Sequence, residues 1–271
     1  MQTITEYYES YDEDSRLRDS KAKQTEFITT TIFLNRYLKD NSRILEVGAG
    51  TGIYSFYYAL KGHRVAAMDL TPKHVELMKS KLSEYGHIHM DITQGNAMDL
   101  SGFPNDQFDT VLCLGPMYHL ISKIEQRRCI EECLRVVKSG GFVAIAYIPR
   151  YFVFPYLVKG DRKFLTEDWA NRIVEKGFTS SEEKDCFWTD AYFHTAEEIS
   201  QLMDDYGTEM VEHVATDGLA PLMGDLINDL SDEEYEAWLN YHLTTCNQPS
   251  VLGATNHALY ICRKIEEPRG E

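Results

Sequence analysis

Three features of the chain have residue types and spacing suited to chemistry. The first is Gly48-Ala-Gly50-Thr-Gly52, which directly follows the apolar run Arg43-Ile-Leu-Glu-Val47. Glycines let a backbone turn sharply and approach a ligand closely, and a helix opening behind them offers free amide groups. The second is Asp69, which closes the run Val65-Ala-Ala-Met68 about twenty residues past the glycines, where a carboxylate can accept hydrogen bonds from both ribose hydroxyls. Together they imply a ligand that contains a nucleoside. Ile53 stands where a dinucleotide fingerprint would place its third glycine, and no Gly-Lys-Ser/Thr closes the motif. NAD, FAD and a phosphate-binding loop are thereby disfavoured. The third feature is His119, just beyond the run Thr110-Val-Leu-Cys-Leu114. An imidazole there could take the proton of an alcohol, phenol or ammonium near neutral pH; lining the ligand site is its alternative role.

These groups need elements to hold them. Short apolar runs alternate with amphipathic helical patterns from about residue 43 to 148, the pattern of a parallel sheet wound with helices. The runs predict strands at 43–47, 65–68, 88–93, 110–114 and 142–148. Thr71 and Pro72 suit the start of a helix carrying Val75, Met78 and Leu82 on one face. A second helix spans about 123–137 and is expected to stop at Ser139-Gly-Gly141. Thr195-Ala-Glu-Glu198 reads as a capping box opening a further helix, and Met210–Val214 and His257–Cys262 read as the last two of seven strands. The aromatic segment 149–194 and the acidic segment 218–253 follow strand ends and read as insertions within a single domain over 1–271. The first 40 residues read as a helical flap, in which Tyr11 and Arg18 could close over a ligand as a lid.

Composition narrows the function classes. A chain of 271 residues with 43% hydrophobic and 26% charged residues is globular in usage. Its 27 Lys and Arg against 43 Asp and Glu give a formal charge of −16, which repels a phosphate backbone, so no nucleic-acid partner is expected. The apolar runs are far shorter than the roughly 20 residues of a spanning helix, and nothing at the N-terminus reads as a secretion signal. The expectation is a cytoplasmic protein without a membrane partner, monomeric or homodimeric. The six cysteines and nine histidines show neither C-x-x-C nor H-E-x-x-H spacing, so no metal is expected.

Ile44-Leu-Glu-Val-Gly-Ala-Gly-Thr-Gly52, Asp69, Gly95-Asn-Ala-Met-Asp-Leu100, Phe108-Asp-Thr-Val-Leu-Cys-Leu-Gly115 and Leu134-Arg-Val-Val-Lys-Ser-Gly-Gly141 occur in an order and spacing that resemble class I S-adenosylmethionine-dependent methyltransferases. The Leu-Gly-Pro-Met-Tyr-His-Leu run at 114–120 is similar to a bacterial subgroup acting on small molecules. The resemblance implies a Rossmann-like α/β fold: a mostly parallel seven-stranded sheet, helices on both faces, and helical insertions covering the acceptor pocket. Its implied cofactor is S-adenosylmethionine, held over residues 43–148. Gly48, Ala49, Gly50 and Gly52 would pass beneath its methionine and ribose, and Glu46 would support that loop and reach towards the ammonium. Asp69 would hold the ribose, Leu70 and Asn96 the adenine, Ala97 and Met98 an amide and an apolar wall, and Leu114 would lie under the sulfonium.

Methyl transfer from a sulfonium relies largely on positioning, so a base is optional, and His119 is its best-placed candidate. Tyr11, Tyr118, Tyr147, Trp188, His194 and His257 are expected to line the acceptor pocket, where aromatic faces stabilise cations. The implied activity is methyl transfer to an O, N or C nucleophile of a small metabolite. The alternative is a module that senses the cofactor or its demethylated product without catalysis.

Overall fold

The computed structural model describes residues 3–265. In chain order it contains α1 (Ile4–Ser10), α2 (Lys21–Asn35), β1 (Arg43–Val47), α3 (Ile53–Leu60), β2 (Arg64–Asp69), α4 (Pro72–Leu82), β3 (Met90–Gln94), β4 (Phe108–Cys113), α5 (Lys123–Val136) and β5 (Val137–Pro149). The second half adds α6 (Arg150–Gly160), α7 (Glu167–Asn171), β6 (Phe178–Thr179), β7 (Ala191–His194), α8 (Ala196–Asp204), β8 (Thr208–Ala215), α9 (Gly224–Asp229), α10 (Asp232–Thr245) and β9 (Ala258–Lys264).

The main sheet runs β3-β2-β1-β4-β5-β9-β8, parallel throughout except for β9, which is antiparallel to both neighbours. Leu45, Val47, Val111 and Val143 bury into one face, and Ile44, Leu112 and Ala144 into the other, so apolar layers cover both sides. This accounts for strands that read as near-continuous apolar runs. The order reverses between β1 and β4, and a ligand crevice belongs at such a switch point, beyond the carboxyl ends of the strands. Register aligns the crevice: Val47 sits opposite Met68 on one side and Cys113 on the other. The residues that follow, Gly48, Asp69 and Leu114, therefore emerge side by side.

Three expectations need correction. The sheet has nine strands rather than seven, because the 149–194 segment returns β7 alongside the end of β5 and adds β6 at the edge. No turn in this aromatic segment announced those two short strands. Ser139-Gly-Gly141 does not terminate α5, which ends at Val136. The glycines instead lie within β5 at an irregularity against β4, with Gly141 so close to the Asp109 carbonyl that a Cβ would fall 2.8 Å from it. Thr71 occupies the N-cap of α4 without a side-chain bond; its amide donates to Asp69 Oδ1 at 2.8 Å instead. The capping box at Thr195 and Glu198 is present. No helix among the described residues is long and apolar enough to cross a membrane.

Candidate functional site

The crevice is built around the glycine turn. Gly48 and Ala49 both donate to the Met68 carbonyl, at 2.8 and 2.9 Å, folding the chain back over β2. Gly48 has φ +71°, and a Cβ there would lie 2.7 Å from Pro116, so this position requires glycine on both conformational and steric grounds. Gly50 donates to Asp69 Oδ2 at 2.7 Å, while Asp69 Oδ1 faces Thr71 N and His74 Nδ1. Asp69 thus ties the turn to the start of α4 before any ligand arrives, and a carboxylate retains acceptor capacity beyond these three contacts.

Glu46, Gly48, Ala49, Gly50, Asp69, Leu70, Asn96, Ala97, Leu114 and His119 all line one cleft of about 140 Å³. Gly52 and Met98 do not line it. A Cβ on Gly52 would meet Met78 and Phe56, so that glycine serves the helix–sheet packing. Met98 donates its amide to Asn96 Oδ1 and packs against the core.

Glu46 is 2% exposed and makes no ion pair among the described residues; Ser55 Oγ donates to its Oε2 in a very short hydrogen bond. Burial pushes its carboxyl up to about 8, with the Asp69 charge acting in the same direction. His74 also lines this cleft, and its buried Nε2 has no hydrogen-bond partner among the described residues. A buried carboxylic acid lacking a cation and a buried imidazole nitrogen lacking a partner fit a ligand with an ammonium at one end and hydroxyls further along, as S-adenosylmethionine has.

His119 differs from the expectation for a base. Its Nδ1 lies 3.0 Å from the Asp190 carbonyl, which can only accept, so that nitrogen carries the proton. Its Nε2 is 2.9 Å from the Tyr8 hydroxyl, leaving Nε2 to accept. Burial lowers its pKa to about 4, so the ring is neutral at pH 7 with both nitrogens engaged.

A second cavity, of about 530 Å³, opens behind the first and shares Tyr8, Glu13, Arg16 and Tyr118 with it. Tyr11, Trp188 and His257 line it, and Tyr118 lines both cavities. Tyr118 stacks with Trp188 at 6.2 Å and donates to the Leu114 carbonyl.

Three expected residues lie elsewhere. Tyr147 is fully buried in the core and bonds His213 Nε2 at 2.8 Å. His194 is buried against Gln126 Oε1. Arg18 is exposed, and Arg16 takes the interior place, with Nη1 2.9 Å and Nη2 3.3 Å from the two Glu26 oxygens and Nε 2.8 Å from Glu13. Sequence reading missed Tyr8, Arg16, Glu26, His74 and Asp217.

Residues 44–141 match the family described as a methyltransferase domain. A demethylmenaquinone methyltransferase of Tropheryma whipplei is 30% identical over 115 residues, covering 42% of this chain and 45% of that protein. A ubiquinone biosynthesis O-methyltransferase of Dechloromonas aromatica is 32% identical over 108 residues, covering 40% and 45%.

The chain spans less than half the length of these curated relatives, and the matching part carries the glycine turn, Asp69, Asn96 and His119. Over the fold as a whole, a SAM-dependent methyltransferase structure from Methanosarcina mazei aligns with TM-score 0.57 at 18% identity, covering 87% of this chain and 98% of that one. The architecture is that of the Rossmann-like class I methyltransferases. The segment 44–141 lines most of the first cleft, and chain outside it lines most of the second cavity.

Proposed function

We propose that this protein transfers the methyl group of S-adenosylmethionine to a small metabolite held in the second cavity. The observation that carries the reading is the meeting of the two cavities at Tyr118, one side offering an uncompensated buried carboxyl and the other an aromatic chamber. Glu46 would hold the ammonium, the Gly48–Gly50 backbone the methionine arm, Asp69 and His74 the ribose, Leu70, Asn96 and Ala97 the adenine, and Leu114 the sulfur end. S-adenosylmethionine supplies an electrophilic methyl group on a neutral leaving group. The protein's task is to align a nucleophile with it and exclude water, where orientation alone can be worth effective molarities of about 10⁵–10⁸ M.

Tyr118 and Trp188 would form the aromatic wall at the junction, and rings of this kind stabilise a passing cation. Residues 4–11 would act as the lid: Tyr8 reaches across to His119, and the cleft beneath it is smaller than the roughly 300 Å³ of a typical ligand pocket. We assign His119 to positioning Tyr8 rather than to proton transfer. The acceptor chamber argues for transfer over bare sensing. The charge of −16 favours an acceptor other than nucleic acid.

Calorimetry with S-adenosylhomocysteine tests the cofactor half, with binding expected and abolished by Asp69→Ala. Label from methyl-labelled S-adenosylmethionine should then pass to a component of a metabolite extract. Tight cofactor binding with no labelled product would overturn the transferase reading.

A further inference from the structure

His257, Asp217 and Glu26 come from three distant parts of the chain and converge on the wall of the second cavity. His257 Nδ1 lies 3.2 Å from Asp217 Oδ2 and 3.3 Å from Glu26 Oε2, with the Asn256 amide 3.0 Å away. The Asn256 contact is through its NH₂, a donor, but two carboxylate oxygens oppose it and together favour the proton on Nδ1. Nε2 then carries the lone pair, and no group among the described residues bonds it. Asp217 is itself immobilised: Oδ1 accepts from Thr255 Oγ1 at 2.5 Å, Asn256 N at 2.8 Å and His257 N at 3.0 Å. The Tyr118 ring, which also borders the cofactor cleft, sits 6.1 Å from the imidazole.

We propose that His257, oriented by Asp217, is the general base of this site and that its acceptor is a hydroxyl on an aromatic ring. This rests on the transferase reading above. A neutral amine or an enol-like carbon attacks with an existing electron pair, whereas a hydroxyl gains nucleophilicity chiefly by losing its proton. An oriented imidazole is thus most useful to an O–H acceptor, and Tyr7, Tyr11, Tyr156, Phe187 and Trp188 give the chamber flat apolar surfaces for a ring.

In the reaction the hydroxyl proton passes to Nε2, and the oxygen electron pair forms the new O–C bond. The C–S pair stays on sulfur as a thioether, and the positive charge lost there reappears on the imidazolium. The surroundings suit that charge. Glu13, Glu26 and Asp217 outnumber Arg16, and Glu26 and Asp217 raise the His257 pKa above its usual 6.5 against desolvation and the Arg16 charge. Arg16, paired with both Glu13 and Glu26, already supplies the cation of this cluster.

The test is label transfer to a panel of phenols, catechols and matched anilines between pH 6 and 9. Transfer to a phenol or catechol is expected, with turnover falling on the acid side as His257 protonates. His257→Gln should lower kcat roughly 10²-fold or more while the S-adenosylhomocysteine Kd stays within twofold. In Asp217→Asn the amide oxygen keeps the three donors and turns its NH₂ towards Nδ1. That moves the imidazole proton to Nε2, so a comparable kcat loss should accompany an altered imidazole ¹⁵N signature.

Label reaching anilines or carbon but no hydroxyl, or a His257→Gln enzyme with wild-type turnover and acid limb, would overturn the inference. Neither result touches cofactor binding or transfer as such. Failure to bind S-adenosylhomocysteine would instead remove the transferase reading.

Discussion

Glu46 gives the sharpest quantitative expectation. In the free protein its carboxyl titrates at about 8 because burial disfavours the charge. At pH 7 it is therefore protonated in about 90% of molecules. An ammonium placed beside it favours the carboxylate, so cofactor binding should drive ionisation and release nearly one proton at pH 7. Affinity should then rise with pH, by about fivefold between pH 7 and 8 and about twofold more before levelling off near pH 9.

Calorimetry of S-adenosylhomocysteine in buffers of different ionisation enthalpy measures the release directly. Glu46→Gln should abolish it and, by removing a charge-assisted hydrogen bond of about 1.5–3 kcal/mol, weaken binding roughly 10- to 100-fold. The same shift bears on folding. A carboxyl whose folded pKa lies above its unfolded value of 4.5 costs the native state stability as pH rises from there to about 8. The cost is on the order of 5 kcal/mol once the group is ionised. Ligand-free Glu46→Gln should accordingly melt above the wild type at pH 9. Binding without proton uptake or release at pH 7, or the same release from Glu46→Gln, would refute the placement of the ammonium.

Gly48→Ala introduces a Cβ 2.7 Å from Pro116 at φ +71°, so it should lose about 1–3 kcal/mol of stability and most S-adenosylhomocysteine affinity, read by melting and calorimetry. Tyr8→Phe removes the hydroxyl that meets His119. It should cost about 1 kcal/mol or less, speed hydrogen exchange over residues 4–11 and accelerate cofactor association. His119→Ala should weaken S-adenosylhomocysteine binding severalfold yet keep the acid limb of turnover; a rate loss at unchanged affinity would restore it as the base.

The cofactor half was legible because its chemistry is local. One glycine turn and one strand-ending carboxylate sit in adjacent strands of a parallel sheet, so their spacing in sequence already implies their neighbourhood in space. Glu46, Gly48, Gly50, Asp69, Asn96 and Leu114 line the cleft for that reason. The alternation of apolar runs also located each strand of the main sheet.

The acceptor chamber was only partly legible. Tyr147 read as a pocket residue because it lies near the end of β5, but strand side chains alternate, and its side chain points to the buried face. Arg16 and Glu26 carry no local signal: their positions depend on how α2 docks on the sheet. Asp217 and His257 had a usable signal. Pairing of β8 with β9 places Ala215 opposite Ala258 and ties Thr216 N to the His257 carbonyl, so a reader who paired those two runs could have found the dyad.

The division between the two cavities also separates what can be altered. The lining of the first cleft is concentrated in 44–141, while the chamber draws on 7–26, 148–193 and 217–257. On the proposed reading, substrate preference would be retooled by exchanging three peripheral segments around an untouched nucleotide-gripping half, in a graft that keeps Tyr8, Glu13, Arg16 and Tyr118, the four residues bordering both cavities.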